Sequence, residues 1–239
     1  MITVVLVETE GEENIGAVAR AMMNMDVDCL ALVNPRCDHL SKNALNYAVH
    51  ASEILEQAKV FTSLREALED ADLSAAITRR TGQWRKRDFI IEDFSNFLAG
   101  YKDRNVSLVF GREKYGLTNE EIRSADLICS IPSSDKFPSI NLSQAVMITL
   151  YDIYRTNLHK PSHTGKLTAS REQYAIMLES IMSAFDEMDF FRTVPSWRLK
   201  NYINKILIRA GLDGNDCLII KNLFTRVRGK FQSLLRQGR

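Results

Sequence analysis

Four short stretches carry polar residues of the kinds that position a substrate and stabilise charge. The first is Asn14-Ile15-Gly16-Ala17-Val18-Ala19-Arg20, a carboxamide followed six residues later by a guanidinium. The second is Thr78-Arg79-Arg80-Thr81-Gly82-Gln83-Trp84-Arg85-Lys86-Arg87, with five cations and no acid. The third is Phe110-Gly111-Arg112-Glu113-Lys114-Tyr115-Gly116-Leu117 and the fourth Pro138-Ser139-Ile140-Asn141-Leu142-Ser143-Gln144-Ala145. A guanidinium stays protonated and suits clamping a phosphate or a developing alkoxide. Five unopposed cations repel one another unless a polyanion neutralises them, and Trp84 among them offers a stacking face. Simpler roles stay open for the rest. Asn14 and Asn141 can cap helices. Arg20 can pair with a glutamate of the acidic run at 8–13, and Glu113 with a neighbouring lysine. Ser139 can be plain loop, and Gly111 and Gly116 can serve turn geometry.

Other chemistries lack their residues. The first strand is followed by Glu8-Thr9-Glu10-Gly11-Glu12-Glu13, with no glycine-rich phosphate loop, and its acids would repel a phosphate. Histidines 39 and 50 and cysteines 29, 37, 129 and 217 show no metal-ligand spacing, and His159 and His163, four apart, flank Pro161, which breaks a helix, so no metal is expected. Cys29 and Cys129 lie in apolar runs and are expected as buried thiols. No apolar run approaches the roughly 20 residues of a membrane helix, and Met1 to Val7 lacks the basic start of a signal peptide. The expected location is the cytoplasm.

The elements that must carry these stretches alternate. Apolar runs at Thr3 to Val7, Cys29 to Val33, Leu73 to Ile77, Ser107 to Phe110 and Leu127 to Ile131 read as strands. Helical spacing covers Asn14 to Met25, Ala44 to Ala58, Ser63 to Glu69 and Asn141 to Arg155, and Thr118 with Glu121 forms a capping box. Continuous apolar strands separated by helices predict an α/β fold with a parallel sheet. Residues 157–169, with Pro161 and Gly165, read as a linker. Beyond it, Ser170 and Gln173 form a second capping box. Three amphipathic helices follow, with apolar stripes at Tyr174 to Phe185, Leu199 to Leu207 and Ile220 to Leu235. The formal net charge of +1 hides a split: residues 190–239 carry eleven cations against two acids, leaving −8 on the remainder. Such asymmetry points to a polyanion-binding part.

Taken together and in order, Asn-x-Gly-x-x-x-Arg, Phe-Gly-Arg-Glu-x-x-Gly-Leu and Ser-x-Asn-Leu-Ser-Gln-Ala resemble the three motifs of the SPOUT RNA 2′-O-methyltransferases, in their TrmH/TrmJ branch. The resemblance covers residues 1–156 and extends more loosely, by position and basicity, to a helical extension at 170–239. It implies a SPOUT-type parallel sheet with a C-terminal trefoil knot and a homodimer built through the knot, with catalytic residues from both subunits. It implies S-adenosyl-L-methionine held by Ile77, Thr78, Arg79, Gly111, Ile131, Pro138, Ser139, Ile140 and Leu142. The implied catalytic group is Asn14, Arg20, Glu113, Ser139 and Asn141. The implied substrate is tRNA, at nucleotide 32 (C or U) of the anticodon loop. The cations expected on RNA are Arg79, Arg80, Arg85, Lys86 and Arg87, with Arg226, Arg228 and Lys230 of the extension. Competing readings are the same chemistry on ribosomal RNA and a non-catalytic RNA-binding or assembly factor. The chain departs from the family pattern at Glu13 and Asp26, where glycine is frequent. It also departs at Ala76-Ile77-Thr78-Arg79, which replaces Gly-Thr-Ser/Thr-Ala, and at Pro138.

Overall fold

A computed structural model describes the chain except residues 80–86, 102, 160–167, 193–194 and 238–239. The chain divides into two units, Met1–Thr164 and Gly165–Arg239.

The apolar runs of the first unit become strands because each is long enough to cross a core and too short for a helix of several turns. Its elements are β1 (Ile2–Val7), α1 (Glu12–Asn24), β2 (Cys29–Val33), α2 (Lys42–Ala48), α3 (Ser52–Glu56), β3 (Lys59–Phe61) and α4 (Leu64–Ala67). They continue with β4 (Leu73–Ile77), β5 (Phe89–Ile90), α5 (Ile91–Phe97), β6 (Val106–Phe110), α6 (Asn119–Ser124), β7 (Leu127–Ser130) and α7 (Leu142–His159). The seven strands form one sheet in the order β3-β2-β1-β6-β4-β7-β5, and every pair is parallel. All residues of β4, β6 and β7 are buried, as the centre of a sheet covered on both faces requires. In register, Leu6 pairs with Leu32 on one side and Phe110 on the other. Every strand therefore ends at the same carboxyl edge, where α/β sheets bind ligands.

Three features escaped the periodicity. The edge strands β3 and β5 span only three and two residues, too few for a pattern. Helix α5 follows β5 directly and packs Phe94 and Phe97 against Phe89, with Phe89 and Phe97 centroids 5.0 Å apart. The helix expected over 44–58 breaks into α2 and α3 at Val49, whose φ of +57° is incompatible with a right-handed helix. Gly16 of the first motif faces α2, where a Cβ would lie 2.2 Å from the Ala44 carbonyl oxygen. The glycine admits α2 against α1.

The second unit contains α8 (Arg171–Glu187), α9 (Ser196–Arg209) and α10 (Gly214–Gln237). Ser170 and Gln173 close the capping box of α8 reciprocally, at 3.2 and 2.8 Å. Tyr174, Met177, Leu178, Ile181 and Ala184 are buried, and Phe185 meets Phe224 of α10 edge-on at 5.9 Å. The inward stripes expected for the last two helices are only partly covered: Ile206, Leu223 and Leu234 are exposed. Their apolar stripes are wider than the seam that the neighbouring helix covers. Cys129 and Cys217 are buried, whereas Cys29 is only half-buried at the start of β2. Among the described residues no helix is long and apolar enough to cross a membrane.

Candidate active site

Helix α1 starts at the carboxyl edge with no side-chain cap of its own, because its N-cap is Gly11. The loop after β6 supplies one. Glu113 Oε2 accepts from the Glu10 backbone N–H at 3.2 Å, and Oε1 accepts from the Gly11 N–H at 3.1 Å. A carboxylate is favourable there, facing unpaired N–H groups at the positive end of a helix dipole. The same Oε1 accepts from Asn14 Nδ2 at 3.1 Å. An ionised carboxylate only accepts, so the Asn14 amide must present its N–H to Glu113 and its oxygen outward. That oxygen accepts from Asn141 Nδ2 at 2.9 Å. Asn141 Oδ1 in turn accepts from the Ser143 N–H, the Ser143 hydroxyl and the Gln144 N–H, at 2.9, 2.7 and 3.4 Å. Capping thus describes Asn141 at the start of α7 and fails for Asn14, which lies inside α1. Three residues from three distant motifs form one chain of hydrogen bonds, Glu113–Asn14–Asn141, along the carboxyl edge of the sheet.

A cavity of about 430 Å³ opens beside this chain. Its wall takes Ile77, Thr78 and Arg79 from the end of β4, Gly111 and Glu113 from the loop after β6, and Ile131 from beyond β7. The segment leading into α7 adds Pro138, Ser139, Ile140 and Leu142. Phe110, Arg112, Lys114, Gly116 and Ala145 complete it; all but Lys114 are motif positions, although the resemblance assigned none of them a site role. The loop at 111–117 folds tightly on itself, since a Cβ on Gly111 would lie 2.2 Å from the Gly116 carbonyl carbon.

The remaining site residues are placed less directly. Arg20 is exposed, makes no hydrogen bond or ion pair among the described residues, and is absent from the cavity wall. Six residues place it about 120° around the helix from Asn14, so the two do not share a face. Ser139 lines the cavity without joining the amide chain. Arg79 is held by Asp135 at 2.6 Å, and Arg87 is exposed beside Ser130. Arg80, Arg85 and Lys86, with Trp84, lie outside the described residues. On α10 of the second unit, Arg226 and Lys230 are exposed one turn apart, while Arg228 turns to Glu187 at 3.5 Å.

Sequence reasoning passed over Glu8, Arg112 and Glu121 as a group. Arg112 bonds both carboxylates, Glu8 at 2.8 Å and Glu121 bidentately at 3.0 and 2.9 Å. The hydrogen bond from Arg112 holds the Glu8 carboxyl below the ordinary carboxylate range. Burial pushes Glu121 up, but bonds from Arg112 and Thr118 outweigh it and hold Glu121 below that range too. Glu8 belongs to the acidic run that would repel anions, but its charge is neutralised by Arg112 and Arg36. Cys37 lies near this corner, and burial followed by the carboxylates of Glu113 and Glu12 pushes its thiol up to about 11. Among the described residues, no three His, Cys, Asp or Glu side chains gather as metal ligands would.

A parallel sheet that gathers oriented carboxamides and a cavity at its carboxyl edge is the layout of an α/β enzyme that binds a small organic molecule. The chain belongs to the SpoU rRNA methylase family, which residues 1–151 match. It is 32% identical to the tRNA (cytidine-2′-O-)-methyltransferase TrmJ of Methanocaldococcus jannaschii, over 94% of this chain and 98% of that one. It is 30% identical to the tRNA (cytidine/uridine-2′-O-)-methyltransferase TrmJ of Pectobacterium atrosepticum, over 98% and 92%. The crystal structure of TrmJ from Z. mobilis ZM4 superimposes with a TM-score of 0.68 at 25% identity, covering 95% of this chain and 99% of that one.

Proposed function

We propose that the protein transfers a methyl group from S-adenosyl-L-methionine to the ribose 2′-oxygen of tRNA, at nucleotide 32 of the anticodon loop, in the cytoplasm. The observation that carries this reading is the Glu113–Asn14–Asn141 chain beside a nucleoside-sized cavity that Glu113 itself lines. The cavity suits the cofactor. Ile77, Ile131, Ile140 and Leu142 offer apolar walls to a neutral adenine. Of the wall's cations, Arg112 and Arg79 are engaged by carboxylates and Lys114 is exposed, so little opposes a sulfonium. When bound, S-adenosyl-L-methionine supplies an electrophilic methyl group.

The chain's own residues do the positioning. Glu113 fixes the Asn14 amide, and Asn14 with Asn141 holds fixed donors and acceptors toward the ribose. Alignment of the oxygen with the methyl carbon lowers the barrier of an in-line displacement. Arg20 stabilises the developing alkoxide and clamps the adjacent phosphate; a guanidinium is too weak an acid to serve as the base. Its exposure, and its lack of a bonded partner among the described residues, fit a homodimer in which Arg20 of one subunit serves the site of the other. The sheet domain, residues 1–156, would carry the trefoil knot in its later strands. Residues 157–169 would link it to the basic extension, 170–239, which holds RNA with Arg226 and Lys230.

Incubation with labelled S-adenosyl-L-methionine and separate pools of tRNA and ribosomal RNA, followed by nucleoside analysis, tests the assignment. The expected product is 2′-O-methylcytidine or 2′-O-methyluridine in tRNA. The family's name favours a second reading, the same transfer to ribosomal RNA; label confined to that pool would select it.

A further inference from the structure

We infer that Glu8 is a positioning residue of the methyl-transfer site, acting through Arg112 and the 111–117 loop without touching a reactant. The inference rests on the transfer reaction proposed above. Glu8 follows β1 directly with φ +47°, an uncommon conformation for a residue with a side chain, and its backbone N–H donates to the Val33 carbonyl at 2.8 Å. The turn aims its carboxylate between two loops. Oε1 accepts from Asn34 Nδ2 and Arg36 Nη2 of the loop after β2, both at 2.9 Å. Oε2 accepts from Arg112 Nε of the loop after β6, at 2.8 Å.

Arg112 spends the rest of its guanidinium on the same task. Its two Nη groups grip both oxygens of Glu121, and Nη1 also donates to the Gly116 carbonyl at 3.2 Å. Glu121 is itself fixed by the Thr118 N–H at 2.7 Å, in the capping box of α6. Arg112, Glu121 and Glu8 are 14%, 16% and 23% exposed, so the charges are shielded from water, and losing one partner leaves another uncompensated. One carboxylate therefore ties together the ends of β2, β1 and β6.

The functional consequence follows from adjacency. Glu113 is the next residue after Arg112. The Arg112 backbone is pinned by the Gly116 N–H donating to its carbonyl at 2.8 Å. Where Arg112 sits decides where the Glu113 carboxylate points, and Glu113 orients Asn14. Glu8 is not part of the cavity wall, whereas Arg112, Glu113 and Gly116 are. Its route to the reaction runs through them.

A double-mutant cycle on the full chain tests this. Glu8→Gln offers one oxygen where two sets of donors need one each. In the wild-type background we expect kcat with tRNA to fall roughly 10- to 100-fold and KM for tRNA to stay within about threefold. In an Asn14→Ala background, Glu8→Gln should lower the residual kcat by less than about twofold. Equal factors in both backgrounds, or a wild-type-background loss under about threefold, would overturn the inference. If Glu8→Gln does not fold, Glu8→Asp, which keeps the charge with a shorter reach, carries the same cycle. Amide exchange across residues 111–117 reads the brace without turnover and should quicken at least tenfold in Glu8→Gln. Unchanged exchange would contradict the brace. Wild-type protein that methylates no RNA would contradict the proposed reaction instead, and the exchange result would still decide the brace.

Discussion

At the carboxyl edge of the sheet, polar groups are tied to one another, whereas Arg226 and Lys230 of the helical unit stand in solvent. The first arrangement holds side chains to fixed directions through short hydrogen bonds and shielded ion pairs. The second leaves long cationic side chains free to settle on whatever anion arrives. Transfer of a methyl group needs atoms aligned in advance, while capture of a polyanion needs charge and reach. On the proposed function, the charge split along the sequence divides a positioning region from a capturing one.

The largest expected break in the positioning region is Arg20→Ala, which should lower kcat by about 10³-fold or more, with Arg20→Lys recovering little. If the two subunits share each site, mixing impaired Arg20→Ala with impaired Asn14→Ala protein should restore up to about a quarter of wild-type turnover. Absence of any recovery in verified mixed dimers would assign Arg20 to its own subunit's site.

Breaking the capturing region should act differently. Arg226→Ala with Lys230→Ala should raise KM for tRNA by roughly tenfold and reduce the salt slope of binding by about 1 to 2, with kcat unchanged. A fall in kcat without a change in salt slope would erase the distinction between the regions.

Gly16→Ala should act on stability, because the new methyl meets the Ala44 backbone. A loss of about 2 kcal/mol, read as a fall of roughly 4–8 °C in Tm, is expected. The mildest test is acid. Glu8 and Glu121 titrate lower folded than unfolded, so their contribution is complete above the ordinary carboxylate range and fades as pH falls through their folded values. Melting temperatures between pH 6 and pH 3 should therefore decline less steeply in Glu121→Gln than in wild type.

Much of this was legible from residue types and their order. Strands such as Cys29–Val33 announce themselves through uninterrupted apolar runs, and the capping boxes at Thr118 and Ser170 through four-residue spacing. The resemblance of the three motifs named residues that now line one cavity. The charged brace stayed hidden because Glu8, Arg112 and Glu121 meet only through strand order: β1 and β6 are neighbours although about a hundred residues separate them. No local spacing encodes that. The Glu113–Asn14 bond was invisible for the same reason, and with it the fact that Asn14 is oriented by Glu113 and is not a cap. The partly uncovered stripes of α9 and α10 show the opposite limit. Helical periodicity marks an apolar face but does not say what covers it.

On the proposed function, the Glu113–Asn14–Asn141 chain positions the ribose and does not hold the cofactor. Single-turnover methylation of tRNA by Asn14→Ala, with S-adenosylhomocysteine binding measured by calorimetry on the same protein, tests it most directly. A rate reduced by about 10²-fold or more, with cofactor affinity within about threefold of wild type, is expected. Near-normal turnover, or a rate loss matched by an equal loss of cofactor affinity, would contradict it.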